Sequence, residues 1–131
     1  MIRFNFIGLR YNIHFTFLLL MLLLLFLGNG RLAVFSALFS CLHEYAHAWM
    51  AKRLGYSPIK VSAGLFGGTL HLQEGYIKPA DGLLVHSAGP FVNLSIGLTG
   101  FFALKITGWD WIYDLVAANL VLALFNLMPF Y

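Results

Sequence analysis

Residues 41–50 read CLHEYAHAWM, and this stretch decides how the rest of the chain has to be interpreted. It places two histidines and a glutamate, His43, His47 and Glu44, inside an otherwise apolar segment. An ionisable group at the depth of a bilayer core is costly unless something pairs with it. A cluster of this kind within a membrane span therefore indicates a functional site.

The composition indicates that the segment does lie in a membrane. Of the 131 residues, 60% are hydrophobic and 10% are charged, and the mean hydropathy is +0.82. Soluble domains carry about 25% charged residues. The sequence therefore predicts an all-α integral membrane protein, with residues 1–131 forming a single membrane-embedded domain.

Four apolar stretches fit transmembrane helices, at about residues 13–27, 32–54, 83–106 and 109–128. The segment between the second and third stretches is rich in glycine and in β-forming residues. We predict that it forms a short re-entrant or membrane-associated β-hairpin around Gly67 and Gly68.

The lysines and arginines are divided unequally by these spans. Six fall on the side of the N-terminus and two on the other side, which predicts that both termini are cytoplasmic. The six are Arg3, Arg10, Lys52, Arg53, Lys60 and Lys78, and the two are Arg31 and Lys105. These residues are scattered beside the spans, so the net charge of +3 does not indicate a nucleic-acid partner.

The cluster in the second span has the spacing of a metal site. His43 and His47 are four residues apart, so a helix places them on one face, where both can bind one zinc ion. Together with Glu44 they form the H-E-x-x-H pattern of zinc metalloproteases, in which the glutamate is the general base. The alternative is a structural polar network, whose members would all need partners inside a small bundle.

The predicted hairpin is a candidate for substrate binding. A protease acting inside a membrane has to hold an unwound segment of its substrate, and a free strand edge can do so through main-chain hydrogen bonds. The alternative is a hairpin that only connects two spans.

Four motifs, in this order, give the chain a resemblance to a known family. They are H-E-Y-A-H at residues 43–47, F-G-G at 66–68, A-G-P at 88–90 followed by Asn93, and N-L-M-P at 126–129. From about residue 11 onward the chain resembles the site-2 protease family of intramembrane zinc metalloproteases, peptidase family M50. The likeness is closest to the branch called stage IV sporulation protein FB-like.

The resemblance implies roles for particular residues. His43 and His47 would bind Zn²⁺, Glu44 would be catalytic, and Gly67, Gly68 and Asn93 would bind substrate or shape the site. It also implies a multi-pass protein of the bacterial cell membrane, in contact with membrane lipid. Its partners would be membrane-associated protein substrates, such as pro-sequences of sigma factors, anti-sigma factors or remnant signal peptides, together with a regulatory membrane protein.

The third zinc ligand is where the sequence departs from the family pattern. In the family this ligand is an aspartate in an L-D-G motif just after N-x-x-P, which would lie beyond Tyr131. The substitutes within the chain each have an ordinary structural or interfacial explanation, and they are Asp81, Asp110, Asp114, His71 and His86.

The missing ligand leaves two functions open. One is a zinc endopeptidase whose given sequence is truncated before the third ligand. The other is a non-catalytic membrane partner or regulator of the same fold. A zinc transporter is a third class, but it would carry metal-binding residues on several spans, and here only one span carries them.

Overall fold

The computed structural model describes residues 2–6, 9–64 and 67–127. Within these residues the chain forms four helices and four strands, in the order β1, β2, α1, α2, β3, β4, α3, α4. The helices are α1 Phe15–Phe26, α2 Gly30–Arg53, α3 Pro79–Thr107 and α4 Trp111–Leu127. Each coincides with one of the four predicted apolar stretches, and α3 begins four residues earlier than expected because Pro79 starts its first turn.

The strands are β1 Ile2–Phe6, β2 Leu9–Ile13, β3 Pro58–Gly64 and β4 Gly67–Leu72. They form one sheet in the order β1-β2-β3-β4, in which β2 and β3 are parallel and the other two pairs are antiparallel. The predicted hairpin is therefore confirmed as β3 and β4.

The prediction of an all-α fold needs correction, because the hairpin belongs to a sheet that begins at the N-terminus. Residues 2–6 and 9–13 alternate apolar and polar side chains, as in IRFNF and LRYNI, which is the period of a half-buried strand. The sequence reading counted Arg3 and Arg10 as topology signals and missed this period. The first helix, α1, accordingly starts at Phe15, two residues after the predicted start at residue 13.

Helix α2 is packed through small side chains. Its buried residues include Ala46, Ala48 and Ala51, which let neighbouring backbones approach closely. The helix ends with Lys52 and Arg53, two cations that interact favourably with the carbonyl end of its dipole. This packing positions the polar cluster of α2 inside the bundle.

Helices α3 and α4 form the tightest pair. A Cβ added at Gly97 of α3 would lie 2.7 Å from Cδ2 of Leu120, so only a glycine allows this approach without a shift. At the far end of the bundle, Leu104 packs with Ile112 and Val116. The Arg31 Nε lies 3.1 Å from a carboxylate oxygen of Asp114, which joins the first turns of α2 and α4.

The outer surface of the bundle is apolar. Phe26 of α1 is 95% exposed, and Phe91 and Ile106 of α3 are 69% and 85% exposed. Among the described residues, α3 is the one helix long and apolar enough to cross a membrane, while α1 and α4 are apolar but shorter, at 12 and 17 residues.

Candidate metal centre

The predicted cluster lies in the middle of α2 and is shielded from the surface. His43 is 2% exposed and Glu44 is 4% exposed, while His47 is partly buried. His47 lies six residues and His43 ten residues before the end of α2, roughly 9 and 15 Å along the helix. The structure therefore brings together the three residues that the H-E-x-x-H pattern predicts.

The two imidazoles face each other through the nitrogens that a metal would use. The Nε2 atoms of His43 and His47 are 3.1 Å apart, and the ring planes are nearly perpendicular at 83°. Tetrahedral zinc with Zn–N bonds of 2.0–2.1 Å separates two nitrogen ligands by roughly 3.3 Å. The observed separation fits such a pair with little adjustment.

The other nitrogen of His47 is held by α3. Its Nδ1 lies 2.6 Å from the carbonyl oxygen of Val85, and since a carbonyl can only accept, Nδ1 carries the proton. The Nε2 of His47 is then left with a free lone pair. An outer hydrogen bond of this kind orients a metal-binding histidine and determines its tautomer.

The other nitrogen of His43 contacts Asn93, also on α3. The distance from Asn93 Nδ2 to His43 Nδ1 is 3.2 Å, and the Asn93 side chain is fully buried. Its Oδ1 atom has no hydrogen-bond partner among the described residues. Asn93 was predicted to bind substrate or shape the site, and the structure places it behind a histidine of the metal centre.

Gly89 of α3 keeps open the space between the two histidines. A Cβ added there would lie 2.5 Å from Nε2 of His47 and 2.6 Å from Nε2 of His43. This is the region that a metal bound to both nitrogens would use. The sequence showed Gly89 only as part of A-G-P, because the approach of α3 to the histidines depends on tertiary packing.

Glu44 borders a cavity of about 440 Å³ between α1, α2 and α4. The cavity walls are mostly apolar, with Phe17 and Leu20 on one side and Val121 and Phe125 on the other. It reaches both Glu44 and His43, so an apolar ligand in this cavity would lie beside the carboxylate.

The sheet covers α2 on the side of the cluster. Tyr11 and Val61 pack against Ala48, one residue beyond His47. Burial raises the pKa of Tyr11 to about 12, with smaller contributions from Cys41, Glu44 and Tyr45. Tyr11 therefore remains a neutral phenol at physiological pH.

The described residues do not bring a third ligand to the two histidines. Asp81 accepts a hydrogen bond from the Tyr56 hydroxyl at 2.8 Å, and Asp114 pairs with Arg31. The exposed ring of His86 is centred 6.4 Å from that of His47, while His71 is exposed in β4. Asp110 is an exposed residue in the turn before α4.

The remaining predicted site residues lie in the sheet and in α4. Gly67 and Gly68 open the edge strand β4, opposite Gly64 and Ala63 of β3. Asn126 lines the cavity and donates its amide to the carbonyl oxygen of Leu122 at 2.8 Å. Phe66 and residues 128–131 lie outside the described residues, so the predicted F-G-G and N-L-M-P motifs are described only in part.

Two histidines on one face of a helix, beside a buried glutamate, define a candidate metalloprotease site. Proteins named as zinc metalloproteases are similar to this chain. The zinc metalloprotease MJ0392 of Methanocaldococcus jannaschii is 30% identical over 96% of this chain and 40% of its own length. The putative zinc metalloprotease YwhC of Bacillus subtilis is 31% identical over 67% of this chain and 58% of its own. The putative zinc metalloprotease Rip3 of Mycobacterium tuberculosis is 35% identical over 66% of this chain and 24% of its own.

The fold is also similar to that of a protease whose structure has been solved. The site-2 protease from Methanocaldococcus jannaschii superposes with a TM-score of 0.84 at 27% identity, covering 98% of this chain and 64% of that one. A search of protein-family models found no match. The chain spans between 24% and 58% of the length of the curated relatives given above.

The chain belongs to the site-2 protease family of zinc metalloproteases, whose members are integral membrane proteins. This confirms the family predicted from its four motifs. The stage IV sporulation protein FB-like branch stays a prediction.

The geometry predicts that Gly89→Ala weakens metal binding. The new methyl group would lie within 2.6 Å of both Nε2 atoms, so the histidines would have to separate. We expect at least a tenfold weaker affinity for zinc, measured by competition with a chelator on the purified protein. Gly82→Ala is the matched control, since it is buried in the same helix and its Cβ would meet Ile77 at an ordinary 3.6 Å. Equal zinc affinity in Gly89→Ala and the parent would contradict this geometry.

Proposed function

We propose that the protein is an intramembrane zinc endopeptidase that cleaves membrane-associated protein substrates, as in regulated intramembrane proteolysis. The observation that carries the proposal is the pair of facing Nε2 atoms 3.1 Å apart, with a buried glutamate beside them at the wall of an apolar cavity. A purely structural polar cluster would not need the open space that Gly89 leaves between the two histidines.

His43 and His47 would hold the zinc ion, with a third ligand supplied from outside the described residues. When bound, zinc supplies Lewis-acid polarisation of the scissile carbonyl and favours attack by water at neutral pH. The fit rests on the nitrogen separation, on the protonated Nδ1 of His47 and on the space at Gly89.

Glu44 would move the proton. Its carboxylate takes one proton from the attacking water as the carbon–oxygen bond forms. It then gives that proton to the leaving nitrogen as the carbon–nitrogen bond breaks, which leaves a carboxylic acid and an amine, and the proton of the acid passes to the amine to give a carboxylate and an ammonium group. The wall of the cavity is the side from which Glu44 can reach a bound peptide.

The substrate would enter through the apolar cavity and be held by the sheet. The cavity is lined by α1 and α4, whose outer surfaces are apolar, which suits a substrate arriving from the bilayer. Strand β4 lies at the edge of the sheet, where an extended segment can be added through main-chain hydrogen bonds. Gly67 and Gly68, which leave this edge without side chains, are the proposed substrate-binding positions.

The absence of a third ligand among the described residues favours a second candidate. The protein would then be a non-catalytic partner that keeps the fold and binds metal weakly. Stoichiometric zinc and proteolysis by the protein expressed from its full reading frame would exclude this alternative.

The proposed arrangement in the membrane is multi-pass. The N-terminal ends of α2 and α4 are joined by the Arg31–Asp114 pair, as expected of a bundle whose helices alternate in direction. We expect Lys60→Cys, in a Cys41→Ser background, to react with an impermeant maleimide only after the cells are opened. Arg31→Cys should react in intact cells. Labelling of Lys60→Cys from outside would contradict the arrangement.

Glu44→Gln tests the mechanism. Because the carboxylate moves a proton and does not hold the metal, this variant should retain zinc and fold. Its cleavage of a co-expressed membrane substrate should fall by about 10²–10⁴, the usual contribution of a positioned acid–base group. Removal of a buried charge should leave stability equal or slightly higher. His43→Ala is the comparison, because it should lose zinc as well as activity, and near-parental cleavage by Glu44→Gln would refute the proposal.

Asn93 is proposed as a positioning residue for His43. Binding of a metal at Nε2 requires the proton of His43 to be on Nδ1, and a protonated Nδ1 needs an acceptor. Asn93 can supply its Oδ1 if its amide turns over, and in the present orientation no residue in the described part of the chain bonds that oxygen. The backbone of Gly89, which also interacts with the His43 ring, is the alternative acceptor.

Two substitutions at Asn93 test whether His43 is oriented by Asn93 or by the backbone of Gly89. Asn93→Asp keeps an acceptor beside His43 and should bind zinc at least as tightly as the parent. Asn93→Leu removes it and should weaken zinc binding about 10–100-fold, as the loss of outer partners commonly does. Asn119→Leu is the control, because Asn119 is equally buried and bonds only the carbonyl oxygen of Leu115 among the contacts described. Unchanged affinity in Asn93→Leu would assign the role to Gly89.

A further inference from the structure

The four-stranded sheet has one apolar and one polar face. Side chains that are paired across neighbouring strands share a face, so the register defines rows that run across the sheet. The apolar face carries the row Tyr11–Val61–Leu70, and its members Tyr11 and Val61 pack on α2. The polar face carries two rows, which are Asn5–Arg10–Lys60–His71 and Arg3–Asn12–Ser62–Thr69.

The polar face is strongly cationic. It presents Arg3 and Arg10, which are exposed, and Lys60, which is half-buried, and none of the four strands contains an aspartate or a glutamate. In the described part of the chain the one ion pair is Arg31–Asp114, at the opposite end of the bundle. Three cations on one face therefore lack an acidic partner within the described chain.

Two of these cations line a pocket of about 470 Å³. Its walls are Arg3 and Arg10, with Asn5 and Asn12 between them. Asn12 is 4% exposed, and with its amide oxygen turned toward Lys60 it accepts a hydrogen bond from Nζ at 3.1 Å. The buried amide thus holds the third cation next to the pocket. Two guanidinium groups at such a pocket suit an oxyanion, because each can donate two parallel hydrogen bonds.

The sheet lies at the level where the bundle meets the membrane surface. Strand β2 ends at Ile13, and α1 begins two residues later with Phe15, whose apolar ring is 68% exposed. Strand β3 follows the C-terminal end of α2 in the same way, after Lys52 and Arg53. The cationic face is therefore close to the start of helices that face lipid, where the phosphates of lipid headgroups lie.

We propose that this polar face is a binding site for the phosphate groups of anionic membrane lipids. The inference rests on the membrane location in the proposed function and is independent of proteolysis. Neutral lipids also carry phosphate, but with a compensating amine, so the three cations favour anionic headgroups. Such a contact would fix the depth and tilt of the sheet, and hence of the edge strand β4, relative to the bilayer.

The test compares two variants that lose the same charge at the same end of the bundle. One is Arg3→Gln/Arg10→Gln/Lys60→Gln, on the polar face. The other is Lys52→Gln/Arg53→Gln/Lys78→Gln, which removes three cations outside the sheet. The full chain in detergent is titrated with phosphatidylglycerol or phosphatidylcholine, and lipid adducts are quantified by native mass spectrometry. Thermal unfolding checks that each protein is folded, and Lys60→Gln alone replaces the first variant if that variant unfolds.

The parent should bind phosphatidylglycerol at least tenfold more tightly than phosphatidylcholine. The polar-face variant should lose this preference, whereas the control should keep most of it. An equal loss in both variants would overturn the proposal, because charge alone would then explain the preference. Inorganic phosphate and an acidic peptide are two further probes. Saturable binding of inorganic phosphate without a lipid preference would overturn the proposal. Displacement of the lipid by an acidic peptide that binds the polar face more tightly would also overturn it.

Discussion

The burial of His43 and Glu44 in an apolar bundle is the constraint on which the rest of the structure depends. Buried polar groups have to be hydrogen-bonded or bound to a metal, since otherwise their desolvation is not offset. For the two histidines of the cluster, the chain meets this requirement mainly with one neighbouring helix. Val85, Gly89 and Asn93 follow each other at intervals of four residues, so they form one stripe on α3, directly against the histidines of α2. Val85 supplies a carbonyl oxygen to His47, Gly89 leaves space beside both Nε2 atoms, and Asn93 supplies an amide to His43.

Close packing elsewhere in the molecule also depends on small residues. Ala48 and Ala51 of α2 are almost completely buried, and Gly97 of α3 lets α4 approach from the other side. In an apolar solvent there is little hydrophobic force between helices, so close packing and polar contacts have to supply the association energy. At the cluster itself, Gly89 is the small residue that lets α3 approach His43 and His47 closely.

The sequence predicted the helices, the hairpin and the cluster for a common reason, which is that each is a local signal. The spacing of His43 and His47 sets their shared face on any helix, and the long apolar stretches identify α1 to α4. The parallel pairing of β2 with β3 joins residues about fifty positions apart, so no local pattern could show it. The same holds for Asn93, which was predicted to bind substrate or shape the site and whose contact with His43 spans fifty positions. The alternation of residues 2–6 was visible, but the arginines within it also fitted the positive-inside rule.

The distance between the two Nε2 atoms also limits what can lie between them. At 3.1 Å, two imidazole lone pairs that point at each other would repel, so either a proton or a metal ion has to be shared by the pair. The proton of His47 is already on Nδ1, where Val85 accepts it, so the shared proton has to come from Nε2 of His43. Asn93 stabilises that state in its present orientation, because its NH2 group faces the Nδ1 lone pair of His43. Binding of a metal at Nε2 then requires His43 to change to the tautomer that carries its proton on Nδ1. The tautomer of His43 with its proton on Nδ1 can bind a metal, whereas the tautomer with its proton on Nε2 cannot. The α3 stripe contains groups that favour each tautomer.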